Sequence, residues 1–441
     1  MSSINSGMFT ATGQHFGISL TRTASIPEPS LLEFNLRSYL SEYTGYAKIR
    51  RAIYVGERCP TLSIESYSIA LEELEEKTYD TTTYKHIARL LEQLTGERRD
   101  TEEWERRVSK EVKEQDTEIR GKLERAKKQV SKKDTLQAQW ELVRLLQQRG
   151  LMDEAVRALQ DGRTSCGGMP EQAELYVEAA RVSQVMGRWL QVATYIQRTE
   201  AVLPDPDATA RAELAVLRAQ ADFGDCKWSV AVNGLRELSI DTASIVFARK
   251  TVTPRDIALY GTLAGLAALD RDQVKQQLLD NVQFGQFLDR MPECQALLQS
   301  YYDSKYDDAL NMLTRILSFC HLDPVIGPHV TTLKQRIRDN IVVLYIQPFV
   351  SVRMSSMATA LCFGSTAQLE DTLVRMIDSG LIHARIDGTT GFLIKHTVNA
   401  RDAALSRVET MHRAFAQQAE LMTARIQYLE EESARKRGAR A

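Results

Sequence analysis

The chain has 441 residues, 43% of them hydrophobic and 26% charged, and its formal net charge is −2. This length exceeds what one ordinary hydrophobic core supports, so we expect two or three structural units. The near-zero charge gives no general attraction for nucleic-acid phosphates or anionic lipids. The sequence shows neither a secretory signal nor an apolar run long enough to predict a membrane span. Its six scattered cysteines lack a CxxC pair, which favours a reduced intracellular compartment.

The first third of the sequence separates into three segments of different composition. Residues 1–30 are rich in Ser, Thr and Gly, and their low apolar content predicts a flexible arm. Apolar residues then recur at helical spacing, which predicts a compact helical unit over 31–96. Residues 97–135 are dense in charges of both signs and predict a charged linker helix. This helix is either an electrostatic binding surface or a spacer with a solvated face, and the mixed signs favour the spacer.

A repeated helix–turn–helix pattern follows, with turn glycines Gly150, Gly187 and Gly224 spaced 37 residues apart. Apolar helical runs flank each glycine, and a small alanine stands where the second helix must approach its neighbour. This period and chemistry predict tetratricopeptide-like helical repeats over 136–330. Two degenerate helix pairs continue the stack to about residue 320, namely Ile257–Leu279 and Cys294–Leu317.

The pattern then changes to short elements. Two helices are predicted first, Ser355–Leu361 and Ser365–Gly380, with Ser365 as the N-cap and Gly380 as the C-cap of the second. Two short alternating runs come next, joined by Asp-Gly-Thr-Thr, which is a strong hairpin signal; the runs are Leu381–Ile386 and Gly391–His396. Helix, helix and hairpin together predict a winged helix over 331–400.

A last amphipathic helix is predicted over 401–430, followed by a disordered basic tail over 431–441. Its apolar stripe consists of Val408, Met411, Phe415, Met422, Ile426 and Leu429. A lone helix with such a stripe needs a partner surface, which is either an intermolecular helix bundle or the winged helix of its own chain. The predicted fold class is therefore mostly α: a tetratricopeptide-like solenoid, a winged-helix subdomain and a C-terminal helix.

No pattern in the sequence indicates catalysis or metal binding. The seven histidines form no HxxxH, HxH or HExxH motif. The sequence also contains no GxSxG, no GxGxxG and no phosphate-binding GxxxxGK[ST] motif. We therefore expect no enzyme activity, no cofactor and no metal site.

A winged helix can bind DNA through its second helix, which then needs positive charge. Here that helix carries Glu370, Asp371 and Asp378 against Arg375 alone, so phosphate binding would be poor. Protein binding remains, because a neighbour's strand could extend the exposed backbone edge of the first wing strand. The predicted subunit-contact residues of this edge are Leu381, Ile382, His383, Ala384, Arg385 and Ile386.

Helical repeats that lead into a winged helix resemble the PCI domain of proteasome-lid, signalosome and initiation-factor scaffolds. Two N-terminal segments are similar to the subunit-one family of the constitutive photomorphogenesis (COP) signalosome. These segments are Tyr43–Arg51 (YTGYAKIRR), with a Tyr-x-Gly element before Ile and Arg, and Cys59–Ala70 (CPTLSIESYSIA), with a Cys-Pro-Thr-Leu turn into a helix. The resemblance covers roughly residues 31–430.

This resemblance implies a non-catalytic scaffold in the cytoplasm and nucleus. The family's complex removes the Nedd ubiquitin-like modifier from cullins and so regulates cullin-RING ubiquitin ligases, with the metalloprotease site on a different subunit. It also implies edge-to-edge association of winged helices, a bundle of C-terminal helices, and subunits two and three as neighbours. The alternatives are the paralogous scaffold of the proteasome lid and, less favoured, a nucleic-acid-binding winged-helix protein.

Overall fold

The computed structural model describes residues 35–96, 102–395 and 400–438, so the predicted flexible arm lies outside the described residues. The described chain forms two compact units that divide between Val342 and Val343. Its regular structure is almost entirely helical, which confirms the predicted fold class. No helix within the described ranges combines the length and apolar composition that crossing a membrane requires.

The first unit begins with five helices: α1 (Leu36–Ser41), α2 (Tyr46–Arg58), α3 (Ser63–Lys77), α4 (Thr81–Thr95) and α5 (Glu102–Lys128). Helix α5 contributes Trp104, Val108 and Val112, spaced one turn apart, to the apolar core of α1–α4. The Trp104 ring stacks on Tyr84 with ring centroids 4.4 Å apart. The predicted spacer is thus corrected: α5 is an amphipathic helix with one buried face, because its apolar residues recur at helical spacing among the charges.

The turn after α5 holds a strained residue. The N–H of Val130 donates to the carbonyl of Lys127 (3.2 Å), and the N–H of Ser131 donates to that of Ala126 (3.2 Å). These are the two hydrogen bonds of a Schellman cap, whose middle residue adopts the left-handed conformation that favours glycine. Val130 occupies this place with φ 55°, where a β-branched side chain crowds the backbone.

We expect Val130→Gly to raise the free energy of unfolding by about 1 kcal/mol, because the strain it relieves exceeds the entropy that glycine adds to the unfolded chain. The Val130 side chain is exposed, so the change removes no core packing. Urea unfolding followed by circular dichroism measures the effect. The matched control is Gln129→Gly, one residue earlier and without a positive φ, which should destabilise the protein. A lower urea midpoint for Val130→Gly would contradict the prediction.

The predicted repeats fold as helix pairs: α6 (Lys132–Gln148) with α7 (Met152–Gly162), α8 (Met169–Met186) with α9 (Trp189–Val202), and α10 (Ala208–Gly224) with α11 (Trp228–Leu235). Gly150 and Gly187 follow the first helix of their pairs with φ of 74° and 72°. Gly224 does not take this role, because it is the last residue of α10 and Cys226 has the left-handed φ of 61°. Gly224 is required instead by packing, since a Cβ there would overlap the ring of Trp189.

The remainder of the first unit contains short elements and three longer helices. In chain order these are α12 (Ser244–Ala248), α13 (Pro254–Ala268), α14 (Arg271–Val274), a π-helical turn (Lys275–Leu279), α15 (Val282–Leu288), α16 (Pro292–Tyr302) and α17 (Tyr306–Cys320). The sequence pattern missed α12 and α15, which are too short to display helical periodicity. Helix α18 (Val330–Ile346) contains the boundary between the two units, so this boundary lies inside a helix and not at residue 331.

The second unit contains the winged helix: β1 (Ser351–Arg353), α19 (Met354–Ala360), α20 (Thr366–Asp378), β2 (Ala384–Asp387) and β3 (Phe392–Lys395). The strands form an antiparallel sheet in the order β1–β3–β2, with Leu393 opposite Val352 on one side and Ile386 on the other. Ser365 caps α20 as predicted, since its hydroxyl accepts the N–H of Gln368 (3.3 Å). Ser379 is the C-cap of α20, and Gly380 follows it with φ 73°. The sequence missed β1, which is only three residues long.

The last element is α21 (Ala400–Gly438). It continues eight residues past the predicted helix end at 430, which corrects the predicted disordered tail over 431–438. The reason is composition: Glu, Ala, Arg and Lys are strong helix formers, and no proline or glycine interrupts them before Gly438. Residues 439–441 lie outside the described residues.

Candidate protein-interaction surfaces

Arg51 of α2 lies at the centre of a buried ionic cluster and is 3% exposed. Its guanidinium donates to Asp323 (Nη1 to Oδ2, 3.0 Å) and to Asp256 (Nη2 to Oδ2, 3.3 Å). The Tyr43 hydroxyl donates to the other oxygen of Asp256 (2.7 Å), and its ring lies under Arg51 with the guanidinium carbon 4.0 Å from the ring centroid. This cluster, formed by Tyr43, Arg51, Asp256 and Asp323, ties α2 to the N-terminus of α13 and to the loop after α17.

The charges of this cluster depend on one another, because burying an unpaired charge is costly. Burial raises the pKa of the Asp256 carboxyl, and the positive charge of Arg51 opposes that increase. Burial also disfavours the charged form of Arg51, but Asp323 and the other neighbours raise the pKa of the guanidinium above its usual value. Asp323 also accepts the N–H groups of Val325 (2.7 Å) and Ile326 (3.2 Å) through Oδ1. Removal of Arg51 would therefore leave two carboxylates buried without their cation.

The segment Tyr43–Arg51 also contacts the turns of two successive repeats. The Tyr46 hydroxyl donates to the carbonyl of Gln148 at the end of α6 (3.2 Å). Arg50 donates to the carbonyls of Gln184 (2.8 Å) and Val185 (3.0 Å) near the end of α8, where a cation suits the helix dipole. Burial and the neighbouring Arg51 charge lower the pKa of Arg50 to about 10. Sequence reasoning missed these roles, although aromatic and basic residues at helical spacing inside an apolar helix were the available signal.

The predicted edge strand of the winged helix begins later than expected. Its first three predicted residues precede β2, and the N–H groups of Leu381 and Ile382 donate to the carbonyl of Met376 (2.9 and 3.3 Å). Strand β2 then runs from Ala384 to Asp387, because those hydrogen bonds close the end of α20 before the chain extends. Among the described residues β2 pairs only with β3, so its other backbone edge is open. Ile382 and Ala384 are buried, whereas Leu381, His383 and Arg385 are exposed.

The predicted stripe on α21 is exposed along its whole length. Each of its six side chains is more than half exposed, and these are Val408, Met411, Phe415, Met422, Ile426 and Leu429. Their spacing of three, four and seven residues places them along one face of the helix. None of them is covered by the winged helix of the same chain, which favours the intermolecular alternative. Within the described residues no three His, Cys, Asp or Glu side chains are placed to hold a metal ion.

Comparison with known proteins shows what these elements are similar to. The chain matches the family model for the 26S proteasome subunit RPN7 over residues 101–277 and that for the PCI domain over residues 314–396. It is 25% identical to COP9 signalosome complex subunit 1 of Arabidopsis thaliana over 402 residues, which cover 90% of each protein. The chain is a PCI-domain homologue of COP9 signalosome subunit 1.

Other signalosome subunits are similar to this chain to a comparable extent. It is 22% identical to COP9 signalosome complex subunit 1b of Drosophila melanogaster, over 92% of this chain and 86% of that protein. The 26S proteasome non-ATPase regulatory subunit 6 of Oryza sativa subsp. japonica is 26% identical, but over only 44% of this chain and 47% of that protein. The proteasome relatives are therefore the more distant ones.

Proposed function

We propose that this protein is a non-catalytic scaffold subunit of the COP9 signalosome. The observation that carries the proposal is the extent of similarity: the subunit 1 relative from Arabidopsis aligns over 90% of the chain, and the proteasome relative from rice over 44%. By this function the chain contributes to a complex that removes the Nedd modifier from cullins and so regulates cullin-RING ligases. The catalytic metalloprotease resides on another subunit, and the complex acts in the cytoplasm and nucleus.

The proposal assigns the two open surfaces to subunit contacts. The unpaired edge of β2 would be extended by a strand of a neighbouring winged helix, which supplies backbone hydrogen bonds without needing a matching side-chain pocket. The stripe on α21 would enter a bundle with helices of other subunits, because burying it removes a continuous apolar face from water. Subunits two and three are the proposed neighbours.

We expect affinity purification of the full-length protein under native conditions to recover several PCI-domain proteins together with a metalloprotease subunit. Mass spectrometry of the eluted complex identifies the companions. Recovery of a solitary monomer would overturn the scaffold function, and recovery of proteasome particles would replace it with the alternative below. A variant with Phe415→Asp serves as the control for specific recovery.

The second candidate is the paralogous scaffold subunit of the proteasome lid. The match to the RPN7 family model over residues 101–277 favours it, because this region contains α5 and the repeat pairs that both families share. The same purification separates the two candidates by the particle recovered. A nucleic-acid function finds no support in α20, because this helix contains three acidic residues and only one arginine.

A further inference from the structure

A groove with a volume of about 1070 Å³ crosses the first helices of the three repeat pairs. It lies between α6, α8 and α10, and none of its lining residues belongs to the two surfaces assigned to subunit contacts. Equivalent positions of successive repeats form its apolar lining at the 37-residue period: Leu136, Ala173 and Ala210, then Trp140, Val177 and Leu214. A linear ligand that crosses the helices would therefore meet similar apolar sites in succession.

Some charges that line the groove are already satisfied within the chain. Arg181 donates to Glu213 (2.5 Å) and to Glu178 (2.5 Å), and Arg249 also donates to Glu213. Burial alone would raise the pKa of Glu213, but the two arginines lower it below its usual value. Gln147 completes the network by donating to Glu178 (2.7 Å). These residues form a fixed polar floor and have little capacity left for a ligand.

Two cations on the α6 wall are different. Arg144 and Lys133 line the groove, are exposed, and form no ion pair within the described residues. Trp140 lies one turn before Arg144 on the same face of α6, with its ring partly buried. Glu174 of α8 and Asp207, which precedes α10, also line the groove and have no cation partner among the described residues. The unpaired charges of the groove are thus two cations on α6, beside Trp140, and two carboxylates outside α6.

We propose that this groove binds an extended segment of a partner protein in which acidic side chains alternate with apolar ones. The acidic side chains pair with Arg144 and Lys133, where a guanidinium can hold a carboxylate with two hydrogen bonds. The apolar side chains pack on Trp140 and the equivalent positions of the next repeats. Glu174 and Asp207 repel a segment placed with its acidic side chains towards α8 and α10, so charge favours the placement against α6. A nucleic acid fits less well, because the lining offers only two unpaired cations for its regularly spaced phosphates, and its apolar positions match side chains that a phosphate backbone does not have.

The test uses the full-length protein and fluorescein-labelled peptides of about ten residues in anisotropy titrations. One peptide alternates Asp with Leu, a second alternates Lys with Leu, and a third alternates Asp with Ser. We expect binding of the Asp–Leu peptide alone, and a loss of at least about tenfold in affinity for Arg144→Glu and for Lys133→Glu. The matched control is Arg107→Glu, an exposed arginine of α5 outside the groove, which should leave affinity unchanged. Asp207→Lys should not weaken binding.

Several outcomes would overturn the proposal. These are no binding of the Asp–Leu peptide up to about 1 mM, equal binding of the Lys–Leu peptide, or unchanged affinity in Arg144→Glu. A synthetic peptide of residues 1–34 is the competitor, and its displacement of the Asp–Leu peptide would assign the groove to this chain's own segment instead of a partner. Thermal melts verify folding, which the charge reversals should leave intact because both cations are exposed and unpaired.

Discussion

Arg51→Met should lower the free energy of unfolding by about 3–5 kcal/mol, the largest effect we expect from one substitution in this protein. Methionine approximates the length of the arginine stem, so little packing is lost, but two carboxylates remain in the core without a cation. Asp256 and Asp323 are each 5% exposed and cannot recover the lost interaction from water. Urea unfolding at neutral pH measures the loss.

The loss of unfolding free energy caused by Arg51→Met should decrease as pH falls. Burial raises the pKa of Asp256 even with Arg51 present, and removal of Arg51 takes away the charge that opposes this increase. A carboxyl whose folded-state pKa exceeds its unfolded value loses its stabilising contribution as pH rises through the folded pKa. The difference between Arg51→Met and the original protein should therefore be largest near neutral pH and shrink as pH falls toward about 4.

Two variants separate the charge effect from general damage to α2. Arg37→Met removes an exposed ion pair with Glu65 (3.0 Å) and should change stability by less than about 1 kcal/mol. The triple variant Arg51→Met, Asp256→Asn, Asp323→Asn neutralises the whole cluster and should recover much of the loss. If the triple variant is no more stable than Arg51→Met alone, uncompensated charge is not the reason for the destabilisation.

The ionic cluster also marks the limit of sequence reasoning for this chain. Its two ion pairs join residues that are 205 and 272 positions apart. No local pattern encodes such a pairing, because periodicity reports only which face of a helix is apolar and not which distant helix covers it. The motif Tyr43–Arg51 could be matched to a family from sequence, but the reason for its tyrosines and arginines appears only in three dimensions.

The first two repeat turns could be predicted because each contains a glycine that the backbone conformation requires. Gly150 and Gly187 are the residues that the left-handed Schellman position favours, and their spacing revealed the period. In the third turn the left-handed position is occupied by Cys226 and not by a glycine. A cysteine at this position is not a recognisable turn signal in a sequence. The same applies to β1, where three residues are too few for alternation to be recognised. The longer helices, the hairpin and the apolar stripe of α21 could be predicted because their sequence patterns extend over enough residues to be recognised.

Phe415→Asp should strongly reduce incorporation of this protein into its complex while leaving its own fold unchanged. The Phe415 side chain is 71% exposed, so a carboxylate there costs the isolated chain nothing in core packing. In a helix bundle the same carboxylate would be buried without a partner, and truncating a central aromatic residue typically costs an interface about 2–4 kcal/mol. Competition between tagged variant and untagged original protein during assembly should show at least about a thirtyfold disadvantage for the variant.

The face of α21 opposite the stripe provides a matched control. Gln417→Asp introduces the same charge two residues later, on the opposite face of the helix, and should assemble normally. Equal melting temperatures for both variants and the original protein would show that neither change unfolds the chain. If Phe415→Asp assembles as well as Gln417→Asp, the stripe is not buried against other subunits, and the helix must reach the complex through a different face or remain outside the interface altogether.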